Sequence, residues 1–149
     1  MLKNSNFQMR LERAGLLVSD LGQAVKRLQE ALAKPEDDFI RDASIKRFEF
    51  CFELAWKAIQ AVARLEGQDC ATPRVAFALA WQAQWLEDEA LWLDMLDARN
   101  KTAHTYREAT AKEVLSSLPG FLPALDSLFR TLQSRIQGLA RPLGSGDTV

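Results

Sequence analysis

The sequence is short of the residues that build metal centres and stapled folds. Its two cysteines, Cys51 and Cys70, form no Cys-x-x-Cys pair and no Cys/His cluster. Structural zinc and iron–sulfur centres are therefore not expected, and no metal or cofactor is assigned. Long apolar runs are missing too: no stretch approaches the roughly 18 residues of a membrane span, and the first 20 residues lack the apolar centre of a secretion signal. The expectation is a cytoplasmic protein with no membrane partner. Charge of one sign is not in excess, since 19 basic side chains face 20 acidic ones for a net charge of −1. That balance argues against coating nucleic acid through bulk charge and leaves local binding open. Only one histidine, His104, and one tyrosine, Tyr106, occur in the chain. Any general-base chemistry near neutral pH thus has one obvious candidate.

What is present is the material of one ordinary domain: 149 residues, 48% hydrophobic and 26% charged. A chain of this length buries about 70% of its unfolded surface and needs no disulfide to fold. Leu11, Ala14, Val18, Leu21, Val25, Leu28 and Leu32 recur at alternating steps of three and four, which predicts a long first helix ended by Lys34-Pro35. A second seam runs through Ile45, Phe48, Phe52, Ala55, Ile59 and Val62, starting at Asp38 or Asp42 and closing at Gly67. Beside it Lys46, Glu49, Glu53 and Lys57 read as a solvated face of ion pairs. Thr72-Pro73 reads as an N-cap and first helical residue, opening a shorter helix to about Trp85. Of the four tryptophans, Trp56 and Trp92 lie in apolar stripes, whereas Trp81 and Trp85 suggest an exposed surface.

A loop near Glu87-Asp88 leads to a helix from Glu89 to about His104. Thr110 and Glu113 have capping-box spacing for a further helix, which Pro119-Gly120 is expected to interrupt. No segment alternates as a strand does. The expected fold is all-α, an antiparallel up-and-down bundle of four to five helices over residues 1–137, with 138–149 as a flexible tail.

The segment from Asp94 to Tyr106 gathers Arg99, Asn100, His104 and Tyr106 within eight positions. At about 100° per residue, Arg99 and Tyr106 share the side of Trp92 and Leu96, while Asn100 and His104 lie with Leu93 and Asp97. Arg99 and His104 then point about 140° apart in an unbroken helix. Convergence requires the helix to turn at Thr102–His104, or a two-fold dimer to bring each His104 to the other copy; the dimer is the favoured reading. Such a cleft suits RNA phosphodiesters, with histidine taking the 2′-hydroxyl proton and arginine bracing the charge on phosphorus without a metal. The plainer alternatives are a histidine that merely caps a helix, an Arg99 paired with Asp94 or Asp97, and a Tyr106 packed in the core.

Two segments, Arg47-Phe-Glu-Phe-Cys-Phe-Glu-Leu-Ala-Trp-Lys57 and Trp92 to Tyr106, resemble the hallmark helices of the nucleotidyltransferase substrate-binding proteins, a branch of the HEPN superfamily. Thr72-Pro73-Arg74 adds to the match, and the similarity spans about residues 10–137. Arg99-Asn100-x-x-x-His104 resembles the superfamily's R-polar-x₃-H motif, and Tyr106 completes the R-x₄-H-x-Y form of HEPN toxins. The resemblance implies a homodimeric bundle that works with a separately encoded minimal nucleotidyltransferase, in a heterotetramer or larger complex. It implies two roles. One is the toxin of a toxin–antitoxin pair, a metal-independent endoribonuclease using Arg99, Asn100 and His104 on RNA and silenced by AMP transfer to Tyr106. The other is a non-catalytic subunit that binds a nucleotide or other substrate and completes the partner's active site. The sequence lacks the Gly-Ser and paired-aspartate signature of a nucleotidyltransferase, so it is not expected to transfer nucleotides itself.

Overall fold

The computed structural model describes residues 2–141, and five α-helices and one 3₁₀ turn account for most of them. Helix α1 spans Leu2–Leu32, α2 Asp38–Leu65, α3 Pro73–Gln82, α4 Glu89–Lys101 and α5 Glu108–Ala140; the 3₁₀ turn is Thr102–His104. Among the described residues there is no strand, and the all-α bundle expected from periodicity is the fold observed.

Local chemistry sets most boundaries. Asp37 caps α2 by accepting from the Ile40 N–H at 2.7 Å, one residue before the first of the two expected starts. Gly67 closes α2 at φ +80°, with its N–H bonded to the Arg64 carbonyl and the Gln68 N–H to the Ala63 carbonyl. Glycine suits that left-handed position because it has no side chain to clash. Thr72 and Asp88 cap α3 and α4 through Val75 N–H and Leu91 N–H.

Arg10, Arg13 and Arg64 line one cavity while Arg47 donates to the Arg27 carbonyl, so α1 and α2 run antiparallel. Helix α5 lies antiparallel to α1, where Gly22 faces Phe129, and to α4, where Lys101 meets Glu113. The short α3 fills the connection between α2 and α4. An aromatic chain joins four helices: Phe121 stacks on Phe48 at 5.6 Å, Phe48 tilts against Phe52, Phe52 meets Phe77 edge-on at 5.7 Å, and Phe77 meets Trp92 at 5.1 Å.

Four expectations need correction. The third helix stops at Gln82, because Gln84 takes a left-handed φ of 64° and the Trp85 N–H returns to the Ala80 carbonyl. That turn swings Trp85 into the core at 4% exposure, while Trp81 stays 44% exposed. The Thr110/Glu113 capping box does not form: α5 begins at Glu108, and Glu113 instead pairs with Lys101 at 2.7 Å. Helix α5 also runs through Pro119 and Pro123. Both prolines lie on the exposed face, opposite buried Leu118, Phe121 and Leu125, so carbonyls left without an N–H partner face water while packing keeps the helix whole. Helix α5 continues to Ala140; most of the segment expected as a tail, residues 142–149, lies outside the described residues.

Candidate functional site

The motif straddles the end of α4. Helix α4 runs from its Asp88 cap to Lys101 and buries Trp92, Met95 and Ala98 against the bundle. Arg99 follows on that inward edge. Its guanidinium lies 5.0 Å over the Phe52 ring, and Nη2 meets Glu53 Oε1 at 2.9 Å. The Glu53 carboxylate is fixed in turn by the Trp56 indole N–H, which donates to Oε2 at 3.1 Å, and Lys57 stands 4.0 Å away. Arg99 therefore pairs across helices with α2 rather than with Asp94 or Asp97. Its Nε is buried without a hydrogen-bond partner among the described residues.

Past Lys101 the chain tightens into the 3₁₀ turn. Thr102 Oγ1 donates to the Arg99 carbonyl at 2.6 Å, Thr105 Oγ1 donates to the Thr102 carbonyl at 3.1 Å, and the Arg107 N–H donates to the His104 carbonyl at 3.1 Å. These side-chain bonds compete with the α-helical ladder and end it. Intrachain turning at Thr102–His104, the first of the two routes to convergence, is thus present.

The turn sets His104 and Tyr106 on an exposed corner, ring centroids 6.0 Å apart and nearly perpendicular. Tyr106 is 75% exposed, which removes the reading of it as a core residue, and the Arg107 guanidinium sits 5.6 Å over its ring. Asn100 points outward beside exposed Asp97 and half-buried Leu93. Lys101, held by Glu113, has its ammonium pKa raised by that hydrogen bond and charge. The structure brings Arg99 together with Glu53, and His104 together with Tyr106. Among the described residues no hydrogen bond joins Arg99 to His104 within one chain.

Two contributors escaped the sequence reading. Glu53 looked like one member of a solvated i, i+4 ladder with Lys57, and nothing in spacing says that α4 will dock an arginine on it. Arg107, adjacent to Tyr106 in the chain, carried a signal only in its proximity. Among the described residues no cluster of three or more His, Cys, Asp or Glu side chains could hold a metal ion. No helix there is long and apolar enough to cross a membrane. Both cysteines are free thiols and buried.

Fold and site together define a helical bundle with an exposed R-N-x₃-H-x-Y corner at the end of its fourth helix. Residues 16–134 match the family described as nucleotidyltransferase substrate binding protein like. The chain belongs to that family. It is similar to a Thermus thermophilus protein of known structure, at 34% identity and TM-score 0.66 over 78% of this chain and 98% of that one. It shares its fold with a Haemophilus influenzae protein described as a substrate binding domain of a nucleotidyltransferase, at 22% identity and TM-score 0.62 over 83% and 98% of the two chains. The fold is also that of a Shewanella oneidensis HEPN toxin, solved tri-AMPylated in complex with an MNT antitoxin, at 16% identity and TM-score 0.65 over 84% and 97%. Among curated proteins no sequence match is found.

Proposed function

We propose that this chain is the partner subunit of a separate minimal nucleotidyltransferase and acts as a metal-independent endoribonuclease, the toxin of a toxin–antitoxin pair. The observation that carries the reading is the break after Lys101, which puts His104 and Tyr106 side by side on an open corner while Arg99 stays braced on α2. Two copies related by a two-fold axis bring two imidazoles and two guanidiniums to one cleft.

There, one His104 takes the proton of an RNA 2′-hydroxyl, whose oxygen attacks phosphorus. The 5′-oxygen leaves with a proton delivered through water, giving a 2′,3′-cyclic phosphate and a 5′-hydroxyl end. Arg99 stabilises the phosphorane's charge, and Asn100 orients the phosphate. Silencing follows from Tyr106: its phenol gives up its proton to solvent, the oxygen attacks the α-phosphorus of ATP on the partner enzyme, and pyrophosphate leaves. The AMP so attached stands beside His104 and places a phosphate against the cleft's own cations.

A second reading has its own observation. Arg99 is already engaged by Glu53 and Phe52 and not by His104, as suits a non-catalytic subunit that binds a nucleotide and completes the partner's active site. Incubation of RNA in EDTA with wild type, His104→Ala and Tyr106→Phe separates the two. The nuclease reading predicts cleavage by wild type and Tyr106→Phe and none by His104→Ala, with prior treatment by ATP, magnesium and the partner, before EDTA is added, silencing wild type alone. Equal, negligible cleavage by all three overturns it in favour of the binding subunit.

A further inference from the structure

The outer face of the α1/α2 pair carries a feature outside the motif. A cavity of about 700 Å³ is lined by Arg10, Arg13, Lys57 and Arg64, with Asp69 its only acid among the described residues. A second cavity, of about 470 Å³, follows along the same two helices, with Arg27 and Phe50 in its wall. Together their linings hold seven cationic side chains against two acidic ones, in a chain whose net charge is −1. Helical geometry makes the two continuous. Arg10, Arg13, Leu17, Ala24 and Arg27 succeed one another at steps of three, four and seven along α1, and the facing α2 positions do the same in reverse.

The groove is equipped for an anionic chain rather than for a single anion. Seventeen residues separate Arg10 from Arg27, or about 25 Å of helix, longer than one nucleotide. Lys57 and Arg64 have acidic neighbours at 4.0 and 3.5 Å, but Arg10, Arg13 and Arg27 have no ion-pair partner among the described residues. Phe50 is 54% exposed, with the Lys46 ammonium 5.6 Å over its ring. A positive groove with an exposed aromatic is the combination that holds single strands, backbone on the charges and a base on the ring. Midway along, where the two cavities meet, the groove passes the motif's brace: Lys57 lies one turn from Glu53, which holds Arg99.

We infer that the α1/α2 groove is a binding track for single-stranded RNA and holds the chain that flanks the phosphodiester presented to Arg99 and His104. The inference rests on the nuclease reading for its purpose, but its test does not. Binding of a labelled single-stranded RNA is measured by anisotropy over a salt series for the full chain, for Arg10→Ala/Arg13→Ala and for Arg10→Lys/Arg13→Lys, with labelled ATP as a parallel probe. Two lost phosphate contacts lower the slope of log affinity against log salt by about 1.4, and the lysine pair restores it. An unchanged RNA slope in the alanine pair overturns the inference. So does a loss confined to ATP, or to the nucleotidyltransferase partner, with RNA affinity intact. Groove-dependent binding without cleavage in EDTA leaves the track standing and removes the nuclease; cleavage without groove dependence does the reverse.

Discussion

Arg99 is held by an ion pair whose members are each about a third exposed, a setting in which such pairs contribute modestly. Glu53→Ala and Arg99→Ala in a double-mutant cycle should show a coupling of about 0.5–1 kcal/mol in urea unfolding. Strict additivity would mean the contact does not form in solution. Cys51 offers a test by pH. Burial pushes its thiol from 9.0 up to about 12, against a smaller lowering by its backbone hydrogen bond. The unfolded chain then ionises first, so this group's contribution is intact below pH 9 and is lost as pH climbs from there to about 12. Cys51→Ala should flatten the alkaline fall in stability by up to about 1.4 kcal/mol per pH unit. An identical slope in both proteins would contradict it. At this scale the sequence told half the story. Spacing from Trp92 placed Arg99 on an inward edge, but its partner Glu53 lies in another helix, and which residues meet across a helix pair depends on docking that periodicity does not encode.

The elements were legible wherever a capping residue stood alone. Thr72-Pro73 and Gly67 act as read, because each has one low-energy role. Thr110 failed because the chain leaving the 3₁₀ turn was already helical at Glu108, and Pro119 failed because burial of Leu118 and Phe121 outweighs one missing N–H. Gln84 is the non-glycine residue with positive φ among those described, and its left-handed turn is what buries Trp85. Gln84→Gly should relieve that strain and raise stability by about 0.5–1 kcal/mol in thermal or urea unfolding; a loss would show that the Gln84 side chain contributes more than its backbone costs. At the α1/α5 crossing, a Cβ on Gly22 would stand 2.5 Å from the Phe129 ring. Gly22→Ala should cost about 1–3 kcal/mol, and much less in a Phe129→Ala background, which unfolding of the four variants would reveal. Equal costs in both backgrounds would mean the helices do not approach there.

For the whole molecule, the chain order of seams and breaks was enough to specify an all-α bundle, since each long apolar stripe had only other helices to bury against. The candidate site was less accessible to sequence, because Arg99 is held by Glu53 of another helix, no hydrogen bond joins it to His104 among the described residues, and the proposed cleft calls for a second copy. That shared cleft is the claim on which the nuclease account stands. Arg99→Ala and His104→Ala chains, each inactive alone, can be unfolded together and refolded so that mixed dimers form, and RNA cleavage then measured in EDTA. The account predicts that the mixture regains cleavage, because a mixed dimer still places one imidazole and one guanidinium from different copies around a single phosphate. A mixture as inactive as either parent, beside an active wild type carried through the same refolding, would contradict it.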